Sequence, residues 1–228
     1  MDEDLKPWGG KARRLPRGSG EATTAQEDLK PWRVRRRSKQ NVLRNAAVRE
    51  FYRHGYEGAS LQNIADALRI NKATLYHYVK SKEHLLGNVL DYAHDQVIEI
   101  MNNVSAISAD PMQRLRAFLE LHLTWYLNNL ELARVTFHEW TSLTGDLLES
   151  QRDRRRNYDA YVRELIRAGQ AMGAINKDWD VTLAGNYIAG AINAVPSWYR
   201  KRGRKNAATV AKIYADMAIA MLAGKPKF

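Results

Sequence analysis

Between Ser38 and residue 223 the apolar residues recur three and four positions apart, and no stretch alternates with period two over a strand's length. That spacing lines apolar side chains along one face of a helix, and a chain with no other pattern can only pack helix on helix. It predicts an all-α protein. Val42, Leu43, Ala46, Ala47 and Phe51 share one face of a first helix, which Gly55 is placed to end. Ser60 can cap a second helix, with Leu61, Ile64, Ala65 and Leu68 on its apolar face. Arg69 and Ile70 make a tight turn, and Asn71 can cap a third, short helix from Lys72 to Val79. Ser81 can cap a fourth, with Glu83 in its first turn, where a carboxylate suits the helix dipole. Later helices are expected over 82–103, 110–129, 131–143, 146–172, 180–201 and 206–223, punctuated by Pro111, Gly145, Gly173 and Gly203. Pro196 is expected to kink the helix that contains it.

Charge divides the chain unevenly. Residues 1–82 carry 18 Lys and Arg against 9 Asp and Glu, whereas residues 83–228 carry 18 against 16. Almost all of the net +11 therefore sits in the first third, and a polyanionic partner for that third is the direct reading. A basic tail that only aids solubility is the other. Hydrophobic residues make up 45% of the 228, enough for a sizeable core. There is no cysteine, hence no disulfide framework and no thiolate metal site, which fits a reducing compartment. No apolar run reaches the roughly 18 residues that a bilayer span needs. The opening residues lack the apolar centre of a signal peptide. A cytoplasmic, nucleoid-associated protein with no membrane partner is expected.

Residues 1–37 have the composition of a flexible basic arm, with Pro7, Pro16, Pro31 and the Gly9-Gly10 and Gly18-Ser19-Gly20 stretches. Within them Glu3-Asp4-Leu5-Lys6-Pro7-Trp8 recurs as Glu27-Asp28-Leu29-Lys30-Pro31-Trp32, each copy leading into arginines. Two copies are too few for a solenoid. They mark either a local duplication or a pair of basic segments that track a DNA backbone or minor groove.

The second and third helices, joined by a tight turn, make a helix-turn-helix. Leu75 and Val79, four apart, can pack inward, which leaves Lys72, Thr74, Tyr76, His77 and Tyr78 for the groove and the phosphates. Lys72 can donate to guanine, Ala73 or Thr74 can meet a thymine methyl, and the two tyrosine hydroxyls suit phosphate oxygens. A generic helical hairpin inside a larger bundle would show the same periodicity.

The run from Ser60 to Leu68, continued by Thr74 to Glu83 and preceded by Ala46-Ala47, Phe51 and His54-Gly55-Tyr56, resembles the DNA-binding signature of the TetR family of bacterial regulators. The resemblance covers residues 40–87. It implies a three-helix head over 38–84 followed by a ligand-binding and dimerisation bundle over 85–228, acting on a double-stranded operator. It places Gln62, Lys72, Ala73, Thr74, Tyr76 and Tyr78 at base or phosphate contacts and gives Lys82 the role of a phosphate anchor. One departure is Arg69, where the family usually has glycine.

Farther on, Arg134 to Trp140, Arg155-Arg156-Asn157-Tyr158, Gly169, Gly173-Ala174-Ile175, Asp180, Trp198-Tyr199-Arg200 and Gly203 resemble, in order, the branch that senses acyl-CoA thioesters. That implies an aromatic-lined pocket with basic groups at its mouth. Trp125, Tyr126, Phe137, Trp140, Tyr158, Tyr161, Trp198 and Tyr199 are the candidate lining. Arg155, with Arg152, Arg154, Arg156, Arg200, Lys201, Arg202 and Arg204, is a candidate for the phosphates. Aromatic residues at helical spacing are also what an ordinary core shows. His122 and His138 read as packing residues, not metal ligands. No cofactor is implied beyond the effector, and no nucleophile–base set points to an enzyme. Ala184, Ile188, Ala191, Ile192 and Val195, with Val210, Ile213, Tyr214, Met217, Ile219, Ala220 and Met221, form two stripes on the helices that the resemblance assigns to a homodimer interface.

The leading reading is a repressor that leaves a palindromic operator when a small effector binds. The alternatives are a sensor of a free hydrophobic molecule and an architectural DNA-binding protein with no effector. Deleting residues 1–37 is expected to weaken binding to any DNA and to flatten its salt dependence, measured by fluorescence anisotropy across a salt series. An unchanged salt slope would remove the arm from the interface.

Overall fold

The structure, a computed structural model, describes residues 31–225, with side chains from residue 39. The flexible-arm expectation for residues 1–30, including the first copy of the repeat, lies outside the described residues. The helices are α1 (Pro31–Gly58), α2 (Leu61–Ala67), α3 (Lys72–Tyr76), α4 (Lys82–Ile107), α5 (Pro111–Asn128), α6 (Leu130–His138), α7 (Gly145–Ala171), α8 (Val181–Trp198) and α9 (Ala207–Ala223). A short 3-10 turn, Trp140–Ser142, separates α6 from α7. Among the described residues there is no strand, and no helix is long and apolar enough to cross a membrane. Two units divide at Gln40, and residues from Asn41 onward form the larger one.

The local chemistry explains the boundaries. Ser60 accepts from the Gln62 N–H at 3.1 Å, Asn71 from Thr74 at 2.7 Å and Ser81 from His84 at 3.0 Å, so all three expected caps are made. Pro111 opens α5 behind the Asp110 cap. Gly55, at φ +66° and ψ 174°, breaks α1, a conformation that costs a residue without Cβ almost nothing. Gly173, at φ +76°, follows α7 in the same way.

Several expectations need correction. Helix begins at Pro31, inside the segment read as arm, because arginine and lysine are good helix formers and a run of charge does not forbid the conformation. Val42 is 54% exposed and is not part of the apolar face. The third helix ends at Tyr76, and the helix expected to reach residue 143 ends at His138. Pro196 lies in the last turn of α8, which stops at Trp198, short of the expected residue 201.

Two buried clusters run along the larger unit. One joins Leu43, Ala47, Phe51, Ile64, Leu75 and Val79 of the head to Leu85–Ala93 of α4 and to Leu132, Val135 and Leu143. The other joins Val97, Met101 and Val104 of α4 to α5, α7, α8 and α9. α4, about 39 Å long at 1.5 Å per residue, thus belongs to both cores.

The turn between α2 and α3 is a Schellman closure. Ile70 N–H reaches the Ala65 carbonyl at 3.0 Å and Arg69 N–H the Asp66 carbonyl at 3.0 Å. The geometry forces Arg69 to φ +54°, the one described non-glycine residue in the left-handed region. An L-residue with a long side chain is strained there by roughly 1–2 kcal/mol. Glycine's greater unfolded-state freedom offsets part of that. Arg69→Gly is therefore expected to stabilise the chain by about 1 kcal/mol, read from chemical denaturation. A destabilised variant would show that the arginine side chain holds the turn.

Candidate functional site

Two regions carry groups that packing alone does not use. The first is the outer face of α3 and the residues after it. Leu75 and Val79 are buried in the head core. Lys72, Ala73, Tyr76, His77 and Tyr78 are left exposed together, as their spacing predicts. Thr74 is half-buried, and its hydroxyl donates to Asn71 Oδ1 at 2.6 Å. Its hydroxyl hydrogen is therefore engaged at the cap, and the methyl is the group left for an apolar contact. Gln62 is exposed, with its side-chain N–H donating to Asp66 at 2.8 Å. Glu50 braces the turn ahead of α2, accepting from Ser60 N–H at 3.0 Å and Asn63 at 2.9 Å.

Lys82, the phosphate anchor implied by the resemblance, also ties the head together from within. Its Nζ donates to the carbonyls of Tyr56, Glu57 and Ala59 at 2.7, 3.2 and 3.2 Å and lies 4.4 Å from the Tyr56 ring centroid. An ammonium has three N–H donors, and three carbonyls freed by the Gly55 break take them.

The second region is inside the body. Phe118, His122 and Tyr126 follow one another at four-residue spacing on α5, with centroids 5.4 and 4.3 Å apart. Tyr158 and Tyr161 of α7 close on Phe118 at 5.7 and 5.1 Å, and Tyr158 Oη lies 3.2 Å from His122 Nδ1. The Arg155 guanidinium sits 4.3 Å over the Trp140 ring and donates to the Thr136 carbonyl at 2.9 Å. His122 Nε2 and Arg155 Nε are buried with no protein partner, and the side chains of His94 and Gln151 meet each other beside them. Such unsatisfied polar atoms are costly in a core, where nearly every buried polar atom is paired.

Burial sets the protonation states. It pulls His122 down to about 3, with His94 adding to the effect, and His94 down to about 4, helped by Arg155 and Arg154. It pushes the Tyr126 and Tyr158 phenols up. At neutral pH the interior holds two neutral imidazoles, two neutral phenols and one guanidinium, donors and acceptors suited to a ligand carbonyl or hydroxyl and a single anionic group.

The structure brings Tyr126, Trp140, Arg155, Tyr158 and Tyr161 together, with Trp125 beside Tyr126 at 5.6 Å. It leaves out Phe137, which is 40% exposed. Trp198 and Tyr199 instead wall a separate cavity of about 450 Å³ with Arg200, Arg204, Lys205 and Tyr214. Of the arginine run only Arg155 turns inward: Arg152 pairs with Glu149, Arg154 with Asp91 and Asp95, and Arg156 with Asp153. The reason is helical phase, since neighbours on a helix point about 100° apart. His94, Phe118 and Gln151 were not anticipated. Phe118 and His122 had a signal in the four-residue aromatic ladder, whereas nothing local marks His94.

Residues 43–89 match the family model described as bacterial regulatory proteins, tetR family, and residues 108–222 match the tetracyclin repressor-like C-terminal domain. The HTH-type transcriptional repressor NicS of Pseudomonas putida is 28% identical over 155 residues, covering 67% of this chain and 73% of NicS. The TetR-family regulator PfmR of Thermus thermophilus superposes with a TM-score of 0.72 at 28% identity, over 78% of this chain and 97% of that one. AibR, solved with isovaleryl coenzyme A and operator DNA, gives 0.70 at 28% identity, over 80% and 97%.

His122 supplies a test of the interior. It is 1% exposed, and its folded pKa of about 3 lies below the ordinary 6.5. The unfolded chain therefore binds a proton that the folded chain refuses as pH falls below 6.5. The stability contributed by the neutral ring is complete above that pH and declines toward about 3, by about 1.4 kcal/mol per pH unit. Between pH 6.5 and 5, His122→Phe should show a shallower loss of unfolding free energy than the parent chain. Equal slopes in urea titrations would place the proton uptake elsewhere.

Proposed function

From the premise that this chain belongs to the TetR family of bacterial regulatory proteins, we propose that it is a homodimeric repressor whose palindromic operator is released when a small effector, a coenzyme A thioester, enters the body. The observation that carries the effector is the pair of buried, unpartnered atoms His122 Nε2 and Arg155 Nε beside the aromatic ladder. Ligand atoms that satisfy them recover free energy which the empty arrangement forgoes. Support for the thioester class comes from AibR, which was solved with isovaleryl coenzyme A and operator DNA. Arg200, Arg204 and Lys205, around the cavity beside Trp198, form no ion pair among the described residues and offer cations to phosphates.

The dimer face in this reading takes Ile213 and Met217 from the second stripe read from sequence and none of the first. Ala184, Ile188, Ile192, Val195 and Val210 are buried within the chain. The opposite sides of the same helices expose Leu183, Tyr187 and Trp198 on α8 and Ile213 and Met217 on α9. An exposed apolar face of this extent fits an isologous four-helix contact with a second copy. Two heads held by such a contact would read half-sites about one helical turn apart.

A free acid of similar carbon skeleton is the second reading, favoured by the single inward guanidinium of Arg155 and the engagement of Arg152, Arg154 and Arg156 with carboxylates. Operator DNA selected from a random pool serves to separate the two. Titrating the complex with matched acyl-CoAs and free acids should show release by the thioesters; release by free acids alone would transfer the assignment to the second reading. On the same DNA, Lys72→Ala and Tyr76→Ala should each weaken specific binding by one or more orders of magnitude, since a good base contact is worth about 1–3 kcal/mol. Helical content should stay unchanged by circular dichroism. Undiminished specific binding in both would move the reading face off α3.

A further inference from the structure

We propose that Arg134 is the positioning residue that fixes the angle between the reading head and α8, and through it the separation of the two heads in the dimer. The inference rests on the dimeric repressor reading above.

Arg134 lies on α6, half-buried, and its guanidinium joins three helices. Nε and Nη2 donate to the Pro196 carbonyl at 2.9 and 2.8 Å, and Nη2 also meets the Ser197 carbonyl at 3.2 Å. Both carbonyls belong to the last turn of α8, where helix carbonyls lack intrahelical partners and the dipole is negative. Nη1 donates in the opposite direction, to Tyr52 Oη on α1 at 2.8 Å, with the guanidinium carbon 5.6 Å from the ring centroid. The planar fork makes all these contacts only when the end of α8 and the middle of α1 stand at one relative position. A lysine, with a single nitrogen on a flexible stem, would not impose that condition.

Each end of the strut is mechanically informative. Tyr52 is one turn before the Gly55 break and two residues after Glu50, which braces the start of α2. Pro196 and Ser197 directly precede Trp198, which is 49% exposed on the face assigned to the partner copy and also walls the second cavity. The head's other polar ties to the body run elsewhere: Tyr56 N–H donates to Glu139 at 2.9 Å, and Thr144 N–H donates to Glu83 at 2.7 Å. Among the described contacts, Arg134 is the polar link between head and α8. A small shift of the α8 end, whether from the partner or from a ligand against Trp198, breaks the fork and frees the head to turn.

The test uses the full-length dimer. Because the chain has no cysteine, Arg53→Cys on the exposed side of α1 gives one spin-label site per protomer. In the parent background, double electron–electron resonance should give a narrow distance distribution between the two heads. Arg134→Met should broaden it, and Tyr52→Phe, which removes one phenol oxygen and keeps the ring, should broaden it in the same direction. On DNA, Tyr52→Phe should weaken binding to the two-half-site operator by about tenfold, the scale of one charge-assisted hydrogen bond. Binding to DNA with one half-site scrambled should stay within about twofold, because each head still reads its own groove. Inserting one base pair between half-sites should penalise the parent protein more than either variant. Unchanged distance distributions, or equal losses on full and half sites, would overturn the proposal. A parent protein that is monomeric by light scattering, or that selects no paired half-sites, would overturn the dimeric reading itself, and with it this one, before any variant is made.

Discussion

Lys82 holds the head closed. Where Gly55 breaks α1, the carbonyls of Tyr56, Glu57 and Ala59 lose their helical partners and turn toward one ammonium at the start of α4. Without it, the Tyr56 carbonyl would keep only the Ala59 N–H at 3.3 Å and the Glu57 and Ala59 carbonyls would lose this donor; a buried carbonyl left without a donor costs about 1–3 kcal/mol. The Tyr56 ring under the cation adds a further attraction. Because α4 begins at this lysine and continues into the second core, the contact that closes the head also fixes the direction of the helix that joins it to the interior.

The interior imposes a different constraint. Phe118, His122, Tyr126, Tyr158 and Arg155 occupy space that aliphatic side chains would fill at lower cost, and burial keeps both imidazoles neutral. A core designed for stability alone would not leave nitrogen atoms without partners. Under the effector reading proposed above, the arrangement would trade folding free energy for recognition, as functional sites often do. It also places Arg155 next to Thr136 and Trp140, on the same segment of chain as Arg134 and Glu139, so that the interior cluster and two of the struts to the head share α6 and the turn after it.

Much of the head was legible in the sequence because its determinants are local. Ser60, Asn71 and Ser81 cap the residues two or three positions on, and the inward phase of Leu75 and Val79 decides which neighbours face out. The body was legible only as helices. Whether Ile188 faces its own core or a second copy depends on what packs against α8, and periodicity marks an apolar side without saying against what. The actual exposed side of α8 mixes Leu183 and Tyr187 with Thr182 and Asn186, and so has no strong apolar signature. The internal contacts of Lys82 were hidden for the same reason. Its partners are carbonyls some 25 positions back, and carbonyls carry no residue-type signal. Arg134 appeared only as one letter in a family-like string, since two of its acceptors are backbone atoms more than 60 residues away.

The apolar face of α8 and α9 has a consequence for dosage. Leu183, at 69% exposed, with Tyr187 and Met217 at 66% and 62%, would be hydrated in any isolated chain, so under the proposed dimer mass action would enter the behaviour of the protein. A chain whose partner covers that face gains stability with each increase in its own concentration and loses it on dilution. A melting temperature for this protein then has meaning only alongside the amount at which it was measured. For a protein that dimerises as proposed, a fall in copy number would act twice: fewer chains would be present, and a smaller fraction of them would carry two heads on one scaffold.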